Sequence, residues 1–496
     1  MPNSKPIADC CWAASAPATD YPRLKGRRRF DVAVVGGGIV GLTAAIELAA
    51  AGRSVALLEA LRIGRQVTGR STAKVTTQHG LIYRHLIDTV GRDNAKIYAD
   101  ANRAGVDWIC RSVDRYDIAC DLEEAAAYVF TDVERTRLPE LDAEAEAALD
   151  LGLPADVVDR APLPFPTGGA LRFSGQFQFN PVTYLIGLAR AAADGGIEIF
   201  EQTRATSVVR QDDGTWLVGS ETGEIAARDV VLATAIPMAG KDDFTGRTQP
   251  RCHTCMAFEI DPVAAPEGMF IGLDEPSYSL RRGRDKDRTL LVVLGPRFDT
   301  GHDGDVTGRF DAIEGWTRSF FDVGEAAYRW TNEDYDTGDR LPFIGAPPEA
   351  EPGFYIATGF NAWGLSNGTA AGLLLRDLVT GTHNPGATLF APGRDAPSSI
   401  NRGGDTRSEV SSVDEIAPGE GGVVTEGDEK LAVWKDDDGT VHAFSAACTH
   451  AGCSLTWNNV DQSWDCPCHG SVFGKDGAVV HGPAVAPLEK KRLDRR

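Results

Sequence analysis

Residues 31–60 read DVAVVGGGIVGLTAAIELAAAGRSVALLEA. The apolar run 31–35 predicts a buried strand, the glycines a turn, 39–51 a helix and 54–59 a second strand, which together make a βαβ opening. Gly36, Gly38 and Gly41 form G-x-G-x-x-G. The first permits a tight turn, the second lets backbone approach a pyrophosphate, and the third lets helix pack on strand. The helix start then offers unpaired N–H groups and the positive end of its dipole to phosphate. Glu59 stands 23 residues after Gly36, where a carboxylate can accept hydrogen bonds from ribose hydroxyls. Strand, turn, helix and acid together predict a bound dinucleotide. No second motif of this kind follows, so a separate NAD site is not expected.

The chain has 496 residues, 42% of them hydrophobic, with 54 glycines and a formal charge of -21. That length predicts two or three domains, and the composition fits a globular α/β protein. The acidic balance argues against nucleic acid and against anionic membrane surfaces, which need basic patches. No uninterrupted apolar stretch reaches the roughly 18 residues of a membrane span. The first 30 residues lack the apolar core of a secretory leader. A twin-arginine signal at Arg27, Arg28 and Arg29 is the alternative, weakened by Glu47 within the run that follows. A cytoplasmic location is the expectation.

At the other end, CTHAGC (448–453) and CPCHGSVF (466–473) place Cys448-x-His450 and Cys466-x-x-His469 on two loops, with 15 residues between His450 and Cys466. Two cysteines and two histidines suit tetrahedral zinc as well as an iron–sulfur centre. The segment 391–420, rich in Pro, Gly, Ser and charge, reads as a linker, and 421–496 as a small domain of short strands and turns.

Four stretches in order, the opening motif, GRSTAKVTTQHG (69–80), DVVLATA (229–235) and DRLPFIGAPPEAEPGFYIATGFNAWGLSNGTAAGLLLRDLVTG (339–381), resemble the D-amino-acid oxidase and glycine oxidase class of FAD flavoproteins. The resemblance covers roughly residues 10–390. It implies a Rossmann-like α/β FAD domain drawn from about 28–85, 175–240 and 335–385, with an antiparallel-sheet substrate domain from the intervening segments. By the same resemblance Gly36, Gly38, Gly41 and Glu59 hold the ADP half of FAD, Ala205 offers backbone to the adenine, Ala233 and Thr234 lie under the cofactor, and Ile39, Ala60 and Thr72 are further cofactor-binding residues. Gly364, Leu365 and Ser366 open the last helix, whose N-terminus would face the flavin's N1 and C2 carbonyl; unpaired N–H groups there stabilise the charge of reduced flavin.

The tail resembles the Rieske 2Fe-2S signature, in which each loop gives one Cys to one iron and one His to the other. That resemblance implies Cys448, His450, Cys466 and His469 as ligands, a Cys453–Cys468 disulfide clamping the loops as in the cytochrome bc type, and GPA (482–484) as the proline loop over the cluster. Ser471 could donate to a cluster sulfur. Phe473 stands where bc-type domains usually carry tyrosine, so a potential below the top of the roughly -150 to +300 mV Rieske range is expected.

The combined reading is an FAD-dependent oxidoreductase that oxidises a C–N bond of an amino acid or secondary amine and passes electrons through the cluster to an external acceptor. Its rivals are an oxygen-using oxidase with a regulatory Rieske domain, and an electron relay serving a partner oxygenase. Lys74 falls where the family usually has a small residue and is the catalytic candidate; His79 reads as a local hydrogen-bond partner. Arg281, Arg282, Arg284 and Arg340 are candidates for a substrate carboxylate. Cys252 and Cys255 are expected reduced on a strand, Cys10 and Cys11 incidental. Residues 85–175 read as helical and acidic, strand-like pieces near 251–260, 267–272, 278–282 and 289–295 as the substrate sheet, and Pro181 and Gly195 as the bounds of a helix.

Overall fold

The computed structural model describes residues 9–240, 244, 246–301, 306–398 and 409–493. The predicted opening is present: a strand Gly26–Val35, a helix Ile39–Ala50 and a strand Val55–Leu58. The first strand begins earlier than its apolar run because Gly26 already pairs with Gly223. Only its last four residues are buried, which is why the polar half GRRRFD carried no strand signal. Around it the central strands run in parallel, with Glu198–Phe200 beyond Val55–Leu58 and Gly223–Leu232 followed by Phe354–Thr358 on the other side.

Two helices pack on each other against this sheet. Gly364–Thr380 crosses Ile39–Ala50 closely because Gly372 faces Thr43, where a Cβ would lie 2.7 Å from the threonine Cβ. Neither helix has a side-chain cap. Ile39 N–H is taken by Thr68 Oγ1 at 3.3 Å, and the start of Gly364–Thr380 leaves its first N–H groups for a ligand or solvent.

The second sheet runs Phe298–Asp299, Thr248–Ile260, Arg288–Leu294, Ser279–Asp285, Met269–Gly272, Ala127–Thr131, Gly169–Phe173, Ala155–Val158, with Val323–Thr337 along Thr248–Ile260. All four expected strand pieces lie in it. The expectation for 85–175 is corrected in part. Helices Tyr83–Val90, Arg92–Arg115 and Leu138–Asp150 are there, yet three strands of that segment complete the sheet's far edge. Short runs such as AYVFT cannot be told from buried helix by periodicity alone. Helix Pro181–Asp194 starts and stops as the proline and Gly195 foretell, with Asn180 capping it through Val182 and Thr183 N–H.

The C-terminal region holds a sheet Glu409–Val410, Gly421–Glu426, Glu429–Lys435, Val441–Ser445, Lys490–Lys491 and a second, Thr456–Asn458, Ser463–Asp465, Val472–Gly474, Val479–His481. Part of the expected linker belongs to it, since Glu409 pairs with Val423 and Ile416 is buried. Arg394, earlier in that linker, is clamped to Asp339 at 2.7 and 2.9 Å. Residues 399–408 lie outside the described residues.

The small domain is seated on the large one. Arg70 pairs with Asp461 at 2.9 Å, Thr456 Oγ1 donates to Gly301 O at 2.7 Å, and Arg204 Nη2 donates to Val479 O at 2.9 Å. Each half also gives a glycine to the seam. A Cβ on Gly301 would lie 2.7 Å from Pro467 N, and one on Gly470 would lie 2.4 Å from Glu333 Oε1.

Candidate active site and redox centre

The first glycine turn is built by close approach. Gly36 has φ +109°, and a Cβ there would sit 2.3 Å from Ala233 O. Gly41 packs on the same turn, its hypothetical Cβ 1.9 Å from Gly36 O. Gly38 is less crowded, meeting only Thr68 Oγ1 at 3.2 Å. Glu59 is buried and accepts from Gly37 N–H at 2.8 Å and Leu61 N–H at 2.9 Å. Burial raises its pKa, while those two N–H groups act in the opposite sense.

These residues open onto a cavity of about 850 Å³. Gly36, Gly38, Ile39, Glu59, Ala60, Thr72, Lys74, Ala205, Ala233, Thr234, Gly364 and Leu365 line it; Gly41 and Ser366 do not. The residues fit FAD: the cavity begins at a turn where Gly36 leaves no room for a Cβ, has a carboxylate beside it, and receives the start of an uncapped helix at Gly364. The same cavity wall includes His481, Gly482, Ala484 and Val485 of the small domain.

Lys74 reaches into the cavity with Nζ donating to Ser279 Oγ at 2.6 Å and Thr72 Oγ1 at 3.2 Å. It has no carboxylate partner among the described residues. Burial first, then the charge of Arg281, brings its pKa down to about 7. His79, close by, is buried, stacked on Trp363 at 4.7 Å and bonded through Nε2 to Thr76 O at 3.0 Å and Ser366 Oγ at 2.9 Å. Burial lowers its pKa to about 3, so it is a neutral brace holding Ser366 at the helix start.

Of the four candidate arginines only Arg340 lines the cavity. Arg281 spends its guanidinium on the carbonyls of Thr72, Arg282 and Phe179 and lies 4.6 Å over Trp12. Arg282 pairs with Glu123, and Arg284 lines a separate cavity of about 320 Å³. Arg251, Arg297, His253 and Asp334 line the main cavity instead; isolated in strands and loops, they carried no spacing signal. Cys252 and Cys255 are unpaired and buried on their strand, and Cys255 reaches the cavity. Cys10 and Cys11 are both fully buried in a cluster with Cys255, and Cys10 Sγ donates to Gly69 O at 3.1 Å.

In the small domain two tight loops face each other. Cys448 and Cys466 are buried, and the hydrogen bond between their thiols lowers the Cys448 pKa and raises that of Cys466. The Nδ1 atoms of His450 and His469 stand 3.2 Å apart. Two thiols on one side and two imidazole nitrogens converging on the other fit a 2Fe-2S centre with Cys and His on different irons. Cys453 and Cys468 are joined by a disulfide whose two sulfurs lie within 4.8 Å of Cys466 Sγ. Ser471 is fully buried, and its Oγ accepts from Ala484 N–H at 3.0 Å, tying the proline loop to the ligand loop. Phe473 is buried in the same core.

Among the described residues no helix is long and apolar enough to cross a membrane. Residues 31–378 match the family model described as FAD dependent oxidoreductase, and 406–492 match that of the Rieske [2Fe-2S] domain. The chain is 32% identical over 509 aligned positions to the Rieske 2Fe-2S iron-sulfur protein YhfW of Bacillus subtilis (strain 168), with 99% of each chain covered. It is 26% identical to the gamma-glutamylputrescine oxidoreductase of Escherichia coli (strain K12), over 71% of this chain and 84% of that one. Glycine oxidase from Geobacillus kaustophilus shares the fold, with a TM-score of 0.60 at 19% identity over 74% of this chain and 99% of that chain. The glycine cradle and the paired Cys/His loops thus agree with both matches, and the chain belongs to the FAD dependent oxidoreductase family and carries a C-terminal Rieske [2Fe-2S] domain.

Proposed function

We propose that the protein oxidises a C–N bond of an amino acid or secondary amine and sends the electrons through its Rieske centre to an external one-electron acceptor. The observation that carries this reading is the shared wall: His481, Gly482, Ala484 and Val485 of the Rieske domain line the cavity that begins at the FAD cradle. The names of two relatives, a glycine oxidase and a gamma-glutamylputrescine oxidoreductase, support an amine substrate. When bound, FAD supplies hydride acceptance and the cluster one-electron transfer.

The chain's own residues supply position and protons. Lys74, held by Ser279 and Thr72 and with its pKa near 7, takes the ammonium proton of the substrate so that the amine presents its lone pair. The N–H groups at Gly364 and Leu365 face the place where negative charge collects. Cys448, His450, Cys466 and His469 hold the cluster. A cytoplasmic setting belongs to this reading and is supported by six cysteines, Cys10, Cys11, Cys110, Cys120, Cys252 and Cys255, that are neither in a disulfide nor among the cluster ligands.

The test is anaerobic mixing of the holoprotein with a panel of amino acids and amines, following flavin absorbance and the Rieske EPR signal together. Bleaching followed by the cluster signal supports the reading; bleaching with a persistently oxidised cluster overturns the electron route and favours the oxygen-using alternative. Cys466→Ser is expected to abolish the EPR signal while leaving bound flavin and its bleaching by substrate in place, which the same two spectra check.

A further inference from the structure

Between cavity and cluster stands one side chain that the glycine and cysteine motifs gave no reason to notice. Tyr335 is almost fully buried on strand Val323–Thr337. Its hydroxyl lies 2.8 Å from Glu333 Oε1, 3.2 Å from His481 Nε2 and 3.3 Å from the carbonyl oxygen of His469. His469 belongs to the cluster set, and His481 lines the cavity. At the other end of the same residue, Tyr335 O accepts from Asn361 N–H at 3.1 Å. Asn361 also lines the cavity and stands in the turn that opens helix Gly364–Thr380. A continuous chain of bonds and hydrogen bonds therefore runs from the flavin-side turn through the tyrosine to the ligand loop. Gly470 lets the loop come this close, since a Cβ there would lie 2.6 Å from the Tyr335 hydroxyl.

We propose that Tyr335, with His481 beside it, is the bridge over which electrons pass from the FAD cavity to the cluster. The proposal rests on the reading given under Proposed function. The bridge carries one electron at a time and no atom or proton: for each electron the reduced flavin gives up, one cluster is reduced, and a one-electron acceptor outside the chain reoxidises it. Tyr335 is a positioning residue in this sense, because it touches the protein frame of both centres.

The experiment uses the full-length holoprotein, with its flavin photoreduced anaerobically in the presence of EDTA and cluster reduction read by freeze-quench EPR. Tyr335→Phe is expected to slow cluster reduction about tenfold, with the g values of the reduced cluster and amide exchange across 466–485 unchanged. A rate within about twofold of the parent overturns the bridge. So does a slowed rate accompanied by faster exchange in 466–485, which would mean that the hydroxyl only holds the seam closed. His481→Gln is the second variant should Tyr335→Phe lose its cluster, with the same slowing expected and the same outcomes overturning it. If the parent itself never reduces its cluster, the electron route under Proposed function fails and takes the bridge with it; if only the variants match the parent, the bridge alone fails.

Discussion

Lys74→Met is expected to slow flavin reduction by substrate about 10²- to 10⁴-fold, the range over which a positioned proton acceptor contributes. The reason lies in three observations. Nζ has two hydroxyl partners and no carboxylate, burial and Arg281 oppose its positive charge, and its pKa is brought to about 7. Below that pH the side chain is an ammonium and cannot accept a proton; above it the amine is free. The rate in the parent should therefore rise with pH through about 7, and Lys74→Met should remove that rise. Lys74→Arg separates this role from simple carboxylate binding. A guanidinium remains charged, so the arginine variant should be as slow as the methionine one. If instead it keeps the parental rate and activity falls as pH rises, Lys74 acts as a cation and the base assignment is wrong.

Gly36→Val is expected to give protein purified without flavin yet with a normal Rieske EPR signal. Valine at φ +109° is strained, and its Cβ would overlap Ala233 O at 2.3 Å. Backbone strain alone costs about 1–3 kcal/mol, and the overlap must push apart two strand ends that the cradle needs side by side. The flavin-to-protein absorbance ratio reads this directly. Gly38→Ala is the control, because its Cβ meets only Thr68 Oγ1 at 3.2 Å; it should weaken flavin binding far less. Equal flavin loss in both variants would place the constraint in the ligand rather than in the Gly36–Ala233 contact.

What could be read from the sequence was local. Glycines at fixed spacing, an acid at a strand end, and cysteines and histidines on matched loops each state their chemistry within a few residues, and the cradle and the two Cys/His loops lie where those motifs stand. Arg281 shows the limit. As an arginine on a substrate-sheet strand it looked able to bind a carboxylate, but its guanidinium is consumed by three carbonyls from residues as far away as Thr72 and Phe179. Strands at 127–131, 155–158 and 169–173 were hidden among helices because runs this short carry no periodicity that separates a strand from buried helix, even though 155–158 and 169–173 pair with each other nearby in the chain. Tyr335 and His481 were equally silent, since 146 residues separate them and only the docked domains bring them together.

The reciprocal glycines of the seam bear on how such a protein can be rebuilt. Gly301 makes room for Pro467, and Gly470 makes room beside Glu333 and Tyr335. The fit is thus written half in each domain, and neither half can be exchanged alone. A foreign cluster domain spliced onto this flavoprotein would remain a tethered passenger unless its ligand loop carried the matching small residue, so the two parts behave as a single inherited object and not as interchangeable modules on a string.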